Sequence, residues 1–277
     1  MKSLIIRSVT GLVFISLVLG SFVLPIEYMY ILFLLISIGG IIEYRKIALR
    51  SRGFPQNFIP FFLALFLFGF LYLIDKGILL FNLKQFLIGF SFLFILPTLV
   101  TSIIELYRNK KRSLVNITVS YFPFFWIVLP LAIGTFWKSY EPCVVFAIFI
   151  IVWASDSFAY CYGILFGKRK LFERISPKKT WEGFLLSLIT TTGLSSLFSK
   201  IAWFDGAVFN TTLEWMGFAL VVIVFGTYGD LVQSMFKRNA SVKDSGKIMP
   251  GHGGILDRFD SFLFALPAGF IYWLLFL

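Results

Sequence analysis

Gly229–Asp260 reads GDLVQSMFKRNASVKDSGKIMPGHGGILDRFD and contains the only histidine of the chain. Its acids and cations are spaced in a way that suits phosphate chemistry. Asp230, Ser234, Lys237 and Arg238 stand at i, i+4, i+7 and i+8. A helix running on past Asp230 would carry an acid, a hydroxyl and two cations on one face. Lys243 and Asp244 follow, and then Gly251-His252-Gly253-Gly254. Glycines there permit positive φ and let backbone N–H groups approach phosphate oxygens. Asp257-Arg258-Phe259-Asp260 is expected to open the last helix; Asp257 and Asp260, at i and i+3, then share a face and supply the hard oxygen ligands that Mg²⁺ takes beside water and phosphate. Plainer roles exist for each part. First-turn acids complement a helix N-terminus, and cations at a helix end anchor it at a membrane surface. Gly and Pro also make ordinary turns. The interleaving of acids, cations and glycines favours a metal-bound polyphosphate. A lone histidine is a poor metal-site signal, so His252 reads as a phosphate contact or an orienting hydrogen-bond partner.

A second polar stretch is Gly167–Lys170 followed by Ser176-Pro177-Lys178-Lys179-Thr180-Trp181-Glu182-Gly183. Attraction to anionic lipid accounts for its charge. It does not account for the Ser, Thr, Trp and Glu in the same company. Asp156 lies inside an apolar run, and Asp230 ends another. An acid at membrane depth needs a partner or a wet cavity, and such residues are functional by default. The chain has no Walker A motif, no strand-linked GxGxxG, no zinc-ligand spacing and no Gly-x-Ser-x-Gly elbow. Cys143 and Cys161 form no CxxC pair and read as packing residues.

The elements that must position these residues are apolar helices. The chain is 58% hydrophobic and only 14% charged, with mean hydropathy +0.88, where a soluble chain carries about 25% charge. Nine apolar blocks centre on Leu12–Leu24, Tyr28–Ile42, Phe58–Ile74, Phe86–Leu106, Ile117–Phe136, Val144–Leu165, Phe184–Trp203, Met216–Phe236 and Phe262–Leu277. Several reach the ~20 residues that cross a hydrocarbon core. The first lacks a small-residue cleavage site and is read as a membrane helix, not a signal peptide. Lys and Arg concentrate at the N-terminus and in the second, fourth, sixth and eighth loops, while the other loops hold only Lys76, Lys84, Lys138 and Lys200. This alternation predicts nine crossings with the N-terminus cytoplasmic and the C-terminus outside. The net charge of +11 is then a matter of topology rather than of nucleic-acid binding. The expected fold is all-α and polytopic, a single membrane domain over 1–277. Its helices within 1–140 act as scaffold, and 141–277 carries the catalytic helices and cytoplasmic loops.

Ser234-Met235-Phe236-Lys237-Arg238, Lys243-Asp244 and Gly251–Asp260 together resemble the signature of phosphatidate cytidylyltransferases, the CDP-diacylglycerol synthases. Ser176–Gly183 looks like a second block of the same family. The resemblance is strong from about Trp153 onward and rests on hydropathy before that. Met249 departs from the usual Leu, Ile or Phe by a conservative apolar exchange. The resemblance implies transfer of a cytidylyl group from CTP to phosphatidate, with pyrophosphate released; the count of basic loops puts the site at the cytoplasmic face of the cell membrane. It implies Mg²⁺ as cofactor, a second cation being left open, with Asp230 and Asp257 as ligands and Asp244 and Asp260 as second choices. Lys237, Arg238, Lys243 and Arg258 would hold phosphates. Gly251, His252, Gly253 and Gly254 would cradle the nucleotide's phosphate chain. Ser176, Lys178, Lys179 and Ser234 would bind substrate, and Asp156 would line the cavity. The implied partners are CTP, phosphatidate and membrane lipids, with no nucleic acid; a homodimer is left open. Two rivals are a CTP-using polyprenol kinase and a transporter running ions past Asp156 and Asp230.

Overall fold

The computed structural model describes residues 2–79, 82–204, 207–248 and 253–276, with side chains from residue 9 onward. In order the helices are α1 (Lys2–Val23), α2 (Ile26–Arg50), α3 (Phe58–Asp75), α4 (Leu83–Arg108), α5 (Ser113–Lys138) and α6 (Pro142–Phe166). A hairpin of β1 (Lys170–Phe172) and β2 (Ser176–Thr180) follows. Then come α7 (Trp181–Ser195), α8 (Thr212–Asn239), the single turn α9 (Leu256–Phe259) and α10 (Phe262–Leu274). Among the described residues, α2, α3, α4, α5, α6 and α8 are long and apolar enough to cross a membrane. Each of the nine apolar blocks lies at least in part on a helix, and six of those helices are membrane-length by this measure.

The chain divides into two compact units: Met1–Ser139 with Asn239–Asp257, and Tyr140–Arg238 with Arg258–Leu277. In the first, α2 packs on α3 and α5. Met29, Phe33, Leu63, Ile127 and Leu131 are fully buried there. Pro25 separates α1 from α2. Lys138 at the end of α5 donates to the carbonyls of Ser21 (2.5 Å) and Leu24 (3.1 Å), satisfying acceptors that α1 leaves open. α4 and α5 each contain one π turn, at Ser91–Ile95 and Phe124–Val128. Each precedes a proline, Pro97 or Pro130, whose missing N–H interrupts the ordinary ladder.

In the second unit, α6 and α7 lie in close contact, and α10 packs on α6. Phe149 stacks on Phe262 with ring centroids 4.3 Å apart. Gly183 lets α7 approach α6: a Cβ there would stand 2.7 Å from the Ala159 carbonyl oxygen.

Three departures from the sequence expectation appear. The polar stretch after α6 is a β-hairpin, so the fold is helical but not purely so. The Phe184–Trp203 block is helical only to Ser195. Ser195 and Ser196 turn their hydroxyls onto the carbonyls of Thr192 and Gly193, a local bond that competes with the helix. Short 3₁₀ turns then seat Phe198 and Phe204 against Trp215. Finally, Asp257–Asp260 does not open the last helix. α9 ends at Phe259, Asp260 sits in the turn, and α10 starts at Phe262. Asp260 Oδ1 accepts from the Ser261 N–H at 3.0 Å and so stabilises the break.

Candidate active site

α8 does run past Asp230, to Asn239, and brings Asp230, Ser234, Lys237 and Arg238 onto successive turns. The Ser234 hydroxyl donates to Asp230 Oδ1 at 3.2 Å. One residue earlier, Gly229 admits the turn at Asp260. A Cβ on Gly229 would lie 2.5 Å from the Asp260 carbonyl oxygen and 3.1 Å from Phe264 Cβ. Backbone thus meets backbone here, and only glycine leaves room.

The opposing charge comes from the hairpin. Lys179 on β2 pairs with Asp230 at 2.5 Å, Nζ to Oδ2. Burial disfavours the Lys179 ammonium, yet the Asp230 carboxylate outweighs it and holds Lys179 above the ordinary lysine value. Asp156 on α6 and Asp260 also act on that ammonium. Asp260 is pushed well above the usual carboxylate range, first by burial and then by the nearby Asp230, with Lys237 opposing. A cavity of about 540 Å³ opens over this cluster. Asp156, Lys178, Lys179 and Asp230 form its polar wall, and Ile164 and Phe184 are among its apolar lining.

Several contacts fix the hairpin. The Trp181 N–H donates to the Arg169 carbonyl at 3.0 Å. Thr180 caps α7 by accepting from the Gly183 N–H at 3.2 Å. Glu182 accepts from the N–H groups of Lys168 (3.0 Å) and Arg169 (3.1 Å). These bonds hold the Glu182 carboxyl below its usual range, the Lys168 N–H being the main cause. Arg238 Nε donates to the Ile175 carbonyl at 3.4 Å, tying the end of α8 to the hairpin turn. Of the residues expected to bind substrate, Lys178 is exposed, Ser176 and Ser234 are half-buried, and Lys237 is buried. Arg258 is exposed.

The loop after α8 belongs with the N-terminal helices. Gly251 and His252, with Met249 and Pro250, lie outside the described residues. Gly253 adopts φ +90, in the region that glycine alone reaches easily. Asp257 Oδ2 accepts from the N–H groups of Ser245 (2.8 Å) and Gly254 (3.0 Å). Lys243 and Asp244 are exposed.

Sequence reasoning missed the residue that anchors this loop. Glu43, fully buried on α2, accepts from Ser245 Oγ (2.7 Å) and from the N–H groups of Ile255 and Leu256 (3.0 Å each). Ser245 therefore bridges two carboxylates, through its hydroxyl to Glu43 and through its N–H to Asp257. The available signal was an acid inside the apolar run Ile41-Ile42-Glu43, the same signal that marked Asp156 and Asp230.

Among the described residues, no group of three or more His, Cys, Asp or Glu side chains is arranged to hold a metal ion unaided. The donor chemistry nevertheless fits a hard divalent cation. Asp156, Asp230 and Asp260 share one field and draw an ammonium onto Asp230. Mg²⁺ needs only one or two protein carboxylates when water and phosphate complete its shell.

Apolar helices of membrane length, carboxylates set within them, and lysines beside those acids in a half-apolar cavity define a polytopic membrane protein with a charged site. The comparisons narrow the class. The model of the cytidylyltransferase family matches residues 5–276, and the chain belongs to that family. It is similar to the phosphatidate cytidylyltransferase of Staphylococcus aureus (strain COL), 50% identical over 121 residues, which is 43% of this chain and 44% of that protein. It is also similar to the phosphatidate cytidylyltransferase of Bacillus subtilis (strain 168), 45% identical over 137 residues, which is 50% of this chain and 49% of that protein. The matched stretches thus span about half the length of these relatives.

Proposed function

We propose that this protein transfers the cytidylyl group of CTP to phosphatidate, giving CDP-diacylglycerol and pyrophosphate. The observation that carries this reading is the cluster of Asp230, Lys179 and Asp156 lining a cavity with both polar and apolar walls, with the Asp260 charge acting on it from beside the cavity. One side suits phosphates, and the other suits the glycerol and acyl portion of a lipid. Family membership and the relatives' names support the same choice.

In this reading the phosphatidate headgroup attacks the α-phosphate of CTP and pyrophosphate leaves. Both reactants are anionic, so the site must hold them in line and offset their repulsion. Lys178 and Lys179 on the hairpin, with Lys237 and Arg238 on α8, supply charge to the phosphates. Lys243 and Arg258 do the same from the segment that follows, and Ser176 and Ser234 contribute hydroxyls. Gly253 and Gly254 shape the turn that follows His252. Asp230 and Asp257 are the proposed Mg²⁺ ligands, with Asp244 and Asp260 as alternates. Mg²⁺, when bound, would neutralise charge on the triphosphate and ease departure of pyrophosphate.

The proposed topology has nine crossings, a cytoplasmic N-terminus and a cytoplasmic site in the cell membrane. It rests on the alternation of basic loops. It requires α7 and α10 to act as short crossings, since 15 and 13 residues give only about 20 Å of helix. Purified protein given CTP labelled at the α-phosphate, Mg²⁺ and phosphatidate should pass the label into lipid. Label entering lipid from the γ-phosphate instead would point to a lipid kinase.

A further inference from the structure

One face of α2 carries Glu43, Lys46 and Arg50 at i, i+3 and i+7. Glu43 is buried and holds the loop through Ser245, Ile255 and Leu256. Lys46 and Arg50, one and two turns further on, line a cavity of about 400 Å³. Its other wall is Val242–Lys247, which adds Lys243 and Lys247. Four cations thus face one carboxylate, Asp244. Among the described residues, none of the four is in an ion pair.

The loop wall is built without help from those cations. Ser245 is bonded to Glu43 and to Asp257. Gly246 rests directly on the anchor, since a Cβ there would stand 2.2 Å from Glu43 Oε1. Retention of positive charge on the cytoplasmic side accounts for Lys46 and Arg50 being basic. It does not account for a loop pinned by a buried acid so that its own lysines share a cavity with them. The cavity volume falls within the range of small-ligand sites.

We propose that this cavity is a phosphate-binding subsite in which Lys46 and Arg50 act together with Lys243 and Lys247, so that α2 contributes to substrate binding and is not scaffold alone. The ligand chemistry is a phosphate chain or phosphomonoester, supplied either by a nucleoside triphosphate or by a lipid headgroup. The assignment to a substrate rests on the cytidylyl-transfer reading; the binding itself does not.

The test uses the full chain in detergent, as wild type, as the double variant Lys46→Ala with Arg50→Ala, and as the charge-preserving pair Lys46→Arg with Arg50→Lys. Binding of inorganic pyrophosphate is measured by calorimetry, and KM is measured separately for CTP and for phosphatidate. The alanine pair should weaken pyrophosphate binding by about tenfold or more, and raise one KM by a similar factor with kcat within about twofold. The charge-preserving pair should restore most of the loss. A rise confined to the KM for CTP identifies the triphosphate as occupant, and a rise confined to that for phosphatidate identifies the lipid headgroup. Unchanged pyrophosphate affinity and unchanged KM values in the alanine pair would overturn the subsite. If wild type turns over neither substrate, the reaction assignment fails, while loss of pyrophosphate binding in the alanine pair still upholds the subsite.

Discussion

Lys179 on the hairpin and Asp230 on α8 lie 2.5 Å apart, Nζ to Oδ2. A cation from a polar connection is thus fixed on an acid carried by a membrane-length helix, while Asp156 and Asp260 act on the same ammonium. Both side chains line the cavity and keep 27% and 26% exposure there, although burial still weighs on the Lys179 ammonium. The pair therefore has more to do with placing charge at the cavity than with stability.

If the two act as a unit, Asp230→Asn and Lys179→Met should each lower kcat/KM by at least about 100-fold. The double variant should then be scarcely worse than either single one, since coupled residues are not additive. Steady-state kinetics on the three proteins, with melting temperatures as a folding control, tests this. Losses that multiply would mean the residues act separately.

Gly229→Ala should loosen the packing of α8 on the Asp260 turn. The added methyl would meet a carbonyl oxygen at 2.5 Å, and backbone cannot give way as a side-chain tip can. A loss of about 1–3 kcal/mol is expected, visible as a lowered melting temperature in detergent. An unchanged melting temperature would show that the two segments separate at no cost.

Glu43→Ala strands the Ser245 hydroxyl and the N–H groups of Ile255 and Leu256. Each buried donor left unsatisfied costs about 1–3 kcal/mol, with less than full additivity for three neighbours. Glu43→Gln should fall between wild type and alanine, since its amide carbonyl still accepts while its NH₂ faces other donors. Thermal unfolding that ranks the glutamine variant level with alanine would argue against an acceptor-based anchor.

Acid should loosen the hairpin through Glu182. Its carboxyl is held below the ordinary value of 4.5, chiefly by the Lys168 N–H, then by its own and the Arg169 backbone N–H, with the Arg169 charge adding a smaller share. A depressed carboxylate stabilises the fold above its unfolded value, and that contribution fades as pH falls below about 4.5 and through the folded value. Hydrogen exchange at the Lys168 and Arg169 amides, corrected for intrinsic rates, should lose protection on acidification in wild type. In Glu182→Gln it should vary little with pH. An equal acid response in both proteins would assign the effect elsewhere.

Much of this arrangement is legible in the sequence, and what is not has identifiable causes. The continuation of α8 past Asp230 follows from helical spacing that persists into the polar residues. The helix positions follow from apolar blocks, because a lipid-facing helix needs no partner to declare itself. The hairpin was not legible: SPKKT on β2 has no alternating apolar pattern, and its order comes from Glu182 and Thr180 at the start of α7. The break at Asp260 was also hidden, since Asp257 and Asp260 have the spacing of a helix face. Contact of Gly229 with the Asp260 backbone is a tertiary effect. Glu43 acts on residues some two hundred positions away, and no local pattern links them.

The most direct test of cytidylyl transfer is a product balance with purified protein, CTP, phosphatidate and Mg²⁺. Pyrophosphate and CDP-diacylglycerol should form in equal amounts, and both should cease when a chelator removes the metal and resume when Mg²⁺ is restored. Release of CDP with a phosphorylated lipid, or substrate turnover with no pyrophosphate, would contradict it.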